Sequence, residues 1–264
     1  MSPIKKTNIL IKISIFIALA CLMGSCQTID RSQQKQAESL RNLGEVYLRQ
    51  GDFNSALRTL FDAQRLMPKD AYIQNDMGLA YLAKKRPKLA IDHFKKAIKF
   101  KPEYADALNN LGIAYLENQS YLYAIQYFNA ALNDLIYGTP HIPLANLGRA
   151  YYALKEYDKA ISYFEQSIER MPDFAIAHRG LGQAYMAKKN YTTAMSTFKE
   201  AIRIAPRFAE AHFELGLVYA ELSQYHNAVQ HYNQAIRFSQ NASFKRNVQK
   251  YLDQIQTFKM DYRF

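Results

Sequence analysis

Cys26 closes the stretch LMGSC after an apolar run, and its thiol could serve three chemistries: burial in a core, redox exchange, or attachment of the chain to a membrane after cleavage. A second candidate is the pair His178 and His212, 34 residues apart, which a repeating fold could bring together as metal ligands. Two imidazoles without a third or fourth ligand do not make a metal site, so the pair reads as ring packing. The sequence has no Gly-rich phosphate loop, no H-E-x-x-H, no paired cysteines for zinc and no serine in a nucleophile-elbow setting. These patterns predict a protein that is not an enzyme, with no cofactor, no metal and no small-molecule substrate.

The residues before Cys26 settle which chemistry is expected of it. Lys5, Lys6 and Lys12 precede the apolar segment Ile13 to Met23, and no acid occurs before Asp30. That order of charge and hydropathy is a secretory signal peptide. A spanning anchor needs about 20 apolar residues, and this run has eleven before Gly24 and Ser25 break it. LMGSC resembles the bacterial lipobox, in which a small pair precedes a cysteine that is lipidated on sulfur and becomes the new N-terminus. The resemblance implies a signal peptide over 1–25 and an acylated Cys26. Gln27 after it, in place of the aspartate that favours inner-membrane retention in similar lipoproteins, implies an outer-membrane anchor facing the periplasm. The polar stretch 26–36 reads as a tether, and a flexible one spans roughly 17 Å.

After the tether the chain repeats. NLGEVY, DMGLAY, NLGIAY, NLGRAY, GLGQAY and ELGLVY place glycines at 44, 78, 112, 148, 182 and 216, spaced 34, 34, 36, 34 and 34. Alanines 56, 90, 124, 160, 194 and 228 follow each glycine by twelve residues, and Leu60, Phe94, Phe128, Phe164, Phe198 and Tyr232 follow by sixteen. This is the tetratricopeptide period of two antiparallel helices per repeat. Small residues let the helices approach, aromatic rings fill the space beside them, and Pro68, Pro102, Pro172 and Pro206 close four repeats.

The predicted fold is all-α, a right-handed α-solenoid of six repeats over 37–70, 71–104, 105–140, 141–174, 175–208 and 209–240. Val248, Leu252, Ile255 and Phe258 form one helical stripe, predicting a capping helix within 241–264. Between repeats three and four, DLIYGTPHIPLANLG holds two extra residues, and Gly138, Pro140 and Pro143 predict a loop there.

By the usual geometry of such arrays, the first helix of each repeat lines a partner-binding groove. The residues expected there are Arg41, Leu48, Tyr72, Asn75, Leu79, Leu82, Asn109, Ile113, Leu116, Arg149 and Tyr152, a largely apolar trough through the first four repeats, continued by Met186 and by Phe213 with Leu217. Glu45 stands where a terminal-carboxylate clamp would want asparagine, so an amphipathic helix or strand is the expected ligand. The formal charge is +11, and loss of Lys5, Lys6 and Lys12 leaves 31 basic against 23 acidic residues. The excess gathers in repeat two, at Lys84 to Lys88 and Lys95, Lys96, Lys99 and Lys101. An exported chain would not meet nucleic acid, so anionic envelope components or plain solvation account better for it.

The whole layout resembles the pilotins of type IV pilus assembly: a lipobox cysteine, a polar tether, six repeats and an irregular junction, LIYGTPHIPLANLGRAYY, similar to the family's own Tyr-x-Thr-Pro junction. The resemblance implies a lipid-anchored protein that binds secretin subunits and promotes their outer-membrane localisation and multimerisation. The alternative is a general periplasmic adaptor for cell-wall or outer-membrane assembly enzymes.

Overall fold

The computed structural model of the chain describes residues 31–133 and 138–261, the last six of these by backbone alone. Cys26, the signal segment and Phe258's side chain lie outside what is described. The described residues form thirteen helices and no strand, an all-α tetratricopeptide solenoid fold. They divide into two compact units, up to Phe100 and from Lys101 onward.

Unit 1 contains α1 (Arg31–Gln50), α2 (Phe53–Leu66), α3 (Ala71–Ala83) and α4 (Pro87–Phe100). Successive helices pack against each other, and α1 also meets α3. Ala37, Leu60, Ala63, Ile73 and Met77 make one buried cluster in it. Helix α1 starts earlier than the residue pattern places it: Arg31 to Gln36, read as tether, are helical. All six are exposed, so local helix propensity holds them and no packing stripe betrays them.

Unit 2 contains α5 (Ala105–Glu117), α6 (Tyr121–Leu132), α7 (His141–Ala153), α8 (Tyr157–Arg170), α9 (Ala175–Ala187), α10 (Tyr191–Ile204), α11 (Ala209–Glu221), α12 (Tyr225–Phe238) and α13 (Ala242–Asp261). Neighbours in sequence are neighbours in space, and the first helices of adjacent repeats, α5, α7, α9 and α11, also touch in turn. Helix α13 packs on α12 and buries Val248, Leu252 and Ile255. Pro143 does not interrupt helix as its type suggested; it lies in the first turn of α7, where the N–H it lacks would have no intrahelical partner.

The repeat glycines have a more specific role than close backbone approach. A Cβ on Gly78, Gly112 or Gly182 would sit 2.5, 2.5 or 2.6 Å from the ring of Phe94, Phe128 or Phe198 on the following helix. Glycine is therefore the socket for an aromatic side chain that is itself fully buried. Phe164 is held between two sockets, since a Cβ on Gly148 would come within 2.8 Å of its ring and one on Gly180 within 2.3 Å.

The turns inside the repeats are uniform. Lys85, Gln119, Lys155, Lys189 and Ser223 all adopt positive φ near 60°, as does Gly51 at 78°. In one such turn Lys85 N–H donates to Leu82 O at 2.9 Å and Arg86 N–H to Tyr81 O at 2.9 Å, which satisfies the last carbonyls of α3.

Candidate partner-binding faces

The predicted groove residues fall on the first helices of the repeats, and each unit holds its own set. In unit 1, Leu48, Leu79 and Leu82 are half-buried and Tyr72 is exposed. Asn75 is only 5 % exposed, and its amide donates to Asp76 Oδ1 at 3.3 Å. Arg41 stands over the Tyr72 ring, 5.3 Å from its centroid. Its Nε lies 3.3 Å from Glu45 Oε1 and 3.8 Å from Asp76 Oδ2, aimed at neither well enough for a hydrogen bond. Burial, and then the charge of Glu45, pushes the Asp76 carboxyl up to about 7, against the Asn75 hydrogen bond and the Arg41 charge.

In unit 2, Ile113, Leu116 and Tyr152 are half-buried, while Asn109 is buried inside a polar chain. Asn146 Nδ2 donates to Asn109 Oδ1 at 3.0 Å, and Arg149 Nη1 donates to Asn146 Oδ1 at 3.0 Å. Arg149 keeps an open side, yet the protein around it lowers its pKa by desolvation, with Glu117 opposing. A second polar cluster follows on α9 and α11. Arg179 donates from Nε to both Glu214 oxygens, at 3.1 and 3.0 Å, and from Nη2 at 2.6 Å, and Gln183 adds a bond of 2.6 Å. Burial raises the Glu214 carboxyl and these donors oppose it.

Leu116, Arg149, Tyr152, Arg179 and Gln183 line an open cavity of about 470 Å³ in unit 2. Its wall is more polar than the apolar trough expected from sequence. Asn146, Arg179, Gln183 and Glu214 were not singled out by sequence. Offset from the repeat glycine could have found two of them, since Arg179 lies three before, as Arg41, Asn75 and Asn109 do, and Gln183 one after, as Arg149 does; Asn146 and Glu214 lie two before, where no groove residue was expected. Phe213, expected to face the groove, is half-buried and packs against the rings of Tyr232, Phe244 and Tyr251, whose centroids lie 5.8, 5.7 and 5.2 Å away.

The histidines have structural partners. His178 Nε2–H donates to Pro172 O at 2.8 Å and His212 Nε2–H to Pro206 O at 3.1 Å, each tying its helix to the preceding turn. The remaining His212 nitrogen, Nδ1, faces His231 Nδ1 at 3.1 Å. With ring centroids 5.3 Å apart, the two nitrogens point at each other rather than at a common third point, an N–H···N bond rather than a chelate. Among the described residues no group of three or more His, Cys, Asp or Glu could hold a metal ion, and no helix is long and apolar enough to cross a membrane.

Models of the tetratricopeptide repeat match residues 39–71, 86–119, 103–173, 146–207 and 209–242. No curated protein sequence matches the chain significantly. Among solved structures, the chain is similar to PilF of Pseudomonas aeruginosa, with 20 % identity, a TM-score of 0.68 and coverage of 83 % of this chain and 99 % of that one. It is similar also to PilW, a type IV pilus biogenesis factor, with 22 % identity, a TM-score of 0.71 and coverage of 80 % and 97 %. Cut9 in the Cut9–Hcn1 hetero-tetramer of the APC/C gives a TM-score of 0.71 at 17 % identity, over 82 % of this chain but 43 % of that one. With repeat models matching residues 39–71, 86–207 and 209–242, the chain belongs to the tetratricopeptide-repeat family and shares its fold with PilF and with the type IV pilus biogenesis factor PilW.

Proposed function

We propose that this chain is a lipid-anchored scaffold that acts as a pilotin in type IV pilus biogenesis, binding secretin subunits and promoting their multimerisation at the outer membrane. The observation that carries the reading is the combination in the sequence of LMGSC ahead of six repeats with the GTPHIP junction between repeats three and four. The fold shared over 99 % of PilF and 97 % of PilW is consistent with it.

Such a role needs no catalysis. An acylated Cys26 keeps a bound subunit near the membrane, which raises the effective concentration of subunits for one another. One acyl chain holds marginally and two hold stably, so a lipoprotein with three would remain anchored. Contact with the partner falls to the first-helix faces: Tyr72 with Leu79 and Leu82 in unit 1, and Leu116, Arg149 and Tyr152 in unit 2.

Deletion of the gene, followed by counting heat-stable secretin multimers in the membrane fraction, tests the role. Multimers are expected to fall while monomers persist; an unchanged level overturns the pilotin reading. Recovery of cell-wall or outer-membrane assembly enzymes with the tagged protein, instead of secretin monomers, would identify a general envelope adaptor. Cys26→Ala isolates the anchor and is expected to leave secretin monomers mislocalised.

A further inference from the structure

The two units differ sharply in charge. Residues 31–100 carry 14 basic and 7 acidic side chains, and residues 101–264 carry 17 and 15. Within unit 1 the surplus is local, because seven of the basic residues lie between Lys84 and Lys99, with Asp92 as the one acid among them.

Helix geometry turns this run into a face. At about 100° per residue, Lys88, Asp92, Lys95, Lys96 and Lys99 fall within roughly 100° of arc on α4. All five are exposed, and the opposite side of the helix buries Ala90, Phe94 and Ala97. The four lysines extend over about 16 Å of helix. No ion pair among the described residues engages Lys88, Lys96 or Lys99. The outer face of α8 in unit 2 shows the contrast, since there Lys159 is paired with Glu156 and Arg170 is accompanied by Glu165 and Glu169.

We infer that the α4 face of unit 1 docks on an anionic phospholipid surface. The choice of lysine points to headgroups. A lysine is a hydrated point charge on a flexible stem, suited to a plane of phosphates, whereas stereospecific recognition of carboxylates favours the planar fork of arginine. Each lysine near an anionic bilayer contributes about 1 kcal/mol, and that attraction fades beyond a Debye length of about 10 Å at 0.1 M salt. A row of four lysines therefore gives a measurable but reversible contact, which would orient an acylated protein rather than hold it. Because α4 rests on α3 through its buried side, a membrane on the lysine face leaves the Tyr72, Leu79 and Leu82 face of unit 1 accessible. The inference does not depend on the identity of the protein partner.

The test is co-sedimentation of the chain from residue 27 onward, which carries no acyl group and retains every described residue, with lipid vesicles. Binding is expected to phosphatidylglycerol-containing vesicles at low salt, with little to pure phosphatidylcholine, and release is expected near 0.5 M salt. Lys88→Gln with Lys96→Gln and Lys99→Gln is expected to weaken binding about a hundredfold, corresponding to three lysines at about 1 kcal/mol each. A matched triple in unit 2, Lys189→Gln, Arg246→Gln and Lys250→Gln, is expected to change it several-fold at most. Unchanged binding by the α4 triple, equal loss in the unit 2 triple, or equal binding to phosphatidylcholine would each overturn the inference. Thermal melts of both triples should match the parent, since all six side chains are exposed.

Discussion

Unit 1 and unit 2 place polar side chains at the same offsets from the repeat glycine and satisfy them differently. In unit 2, Glu214 is nearly buried yet accepts four hydrogen bonds, and Asn109, Asn146 and Arg149 form an unbroken chain. In unit 1, Arg41 Nε, Asp76 Oδ2 and Gln74 Nε2 are buried without a hydrogen bond. A saturated buried network locks helices in one arrangement, whereas an under-satisfied one leaves them free energy to recover by shifting or by binding a polar group. The same repeat position can thus rigidify one unit and leave the other adjustable.

The largest expected effect breaks the saturated cluster. Arg179→Ala leaves Glu214 buried without its cation and should destabilise unit 2 by about 3–5 kcal/mol in urea denaturation. Arg179→Met with Glu214→Leu should recover most of that loss; if the double variant is as unstable as the single, the cost lies in packing rather than charge.

The under-satisfied cluster should show itself through pH. Asp76 has its pKa raised from 3.8 to about 7, so the folded state binds its proton more tightly than the unfolded state does. The stability this contributes is fully present below about pH 4 and is lost as pH rises towards and past 7, by roughly 1.4 kcal/mol for each step of one in pH at most. Asp76→Asn should therefore stabilise unit 1 at pH 8 by about 1–4 kcal/mol and change little at pH 4. Destabilisation at pH 8 would mean that Asp76 and Arg41 form a productive ion pair after all.

Sockets offer a smaller perturbation common to both units. Gly180→Ala would drive a Cβ to 2.3 Å from the Phe164 ring, and overpacking of this kind costs about 1–3 kcal/mol. Adding Phe164→Leu should relieve part of it, and thermal melts of the two variants decide the matter.

The smallest effect concerns the histidine pair. Repeats three and four fill the positions of His212 and His231 with Leu108 and Tyr127 and with Leu144 and Tyr163. His212→Leu with His231→Tyr should leave melting within about 1 kcal/mol of the parent, since both hydrogen-bonded groups are removed together. A large loss would show that the bond to Pro206 O is what holds the turn before α11.

Much of the architecture was legible because it rests on spacing. Glycine, alanine and an aromatic at fixed intervals specify a hairpin whose apolar faces must be covered by the next hairpin, and the stripe Val248, Leu252 and Ile255 announces the cap. The first turns of α1 were missed, since Arg31 to Gln36 are helical without burying anything. Pro143 misled because proline is compatible with a first turn, and its type alone does not say where the turn begins. The candidate faces were legible only as positions. Asn109 and Asn75 were expected to line the groove, and nothing local shows that both are buried or that Phe213 packs against α12 and α13.

What the sequence determined by itself is the repeated hairpin and the side of each helix that must be buried, because both follow from periodicity within a few turns of chain. Which buried polar groups find partners was decided by the tertiary structure alone. Arg179 and Glu214 are 35 residues apart and meet at 2.6 Å, while Arg41 and Asp76, also 35 apart, stop at 3.8 Å. A hydrogen bond depends on tenths of an ångström and on the angle between two helices, and the order of residues in either helix specifies neither.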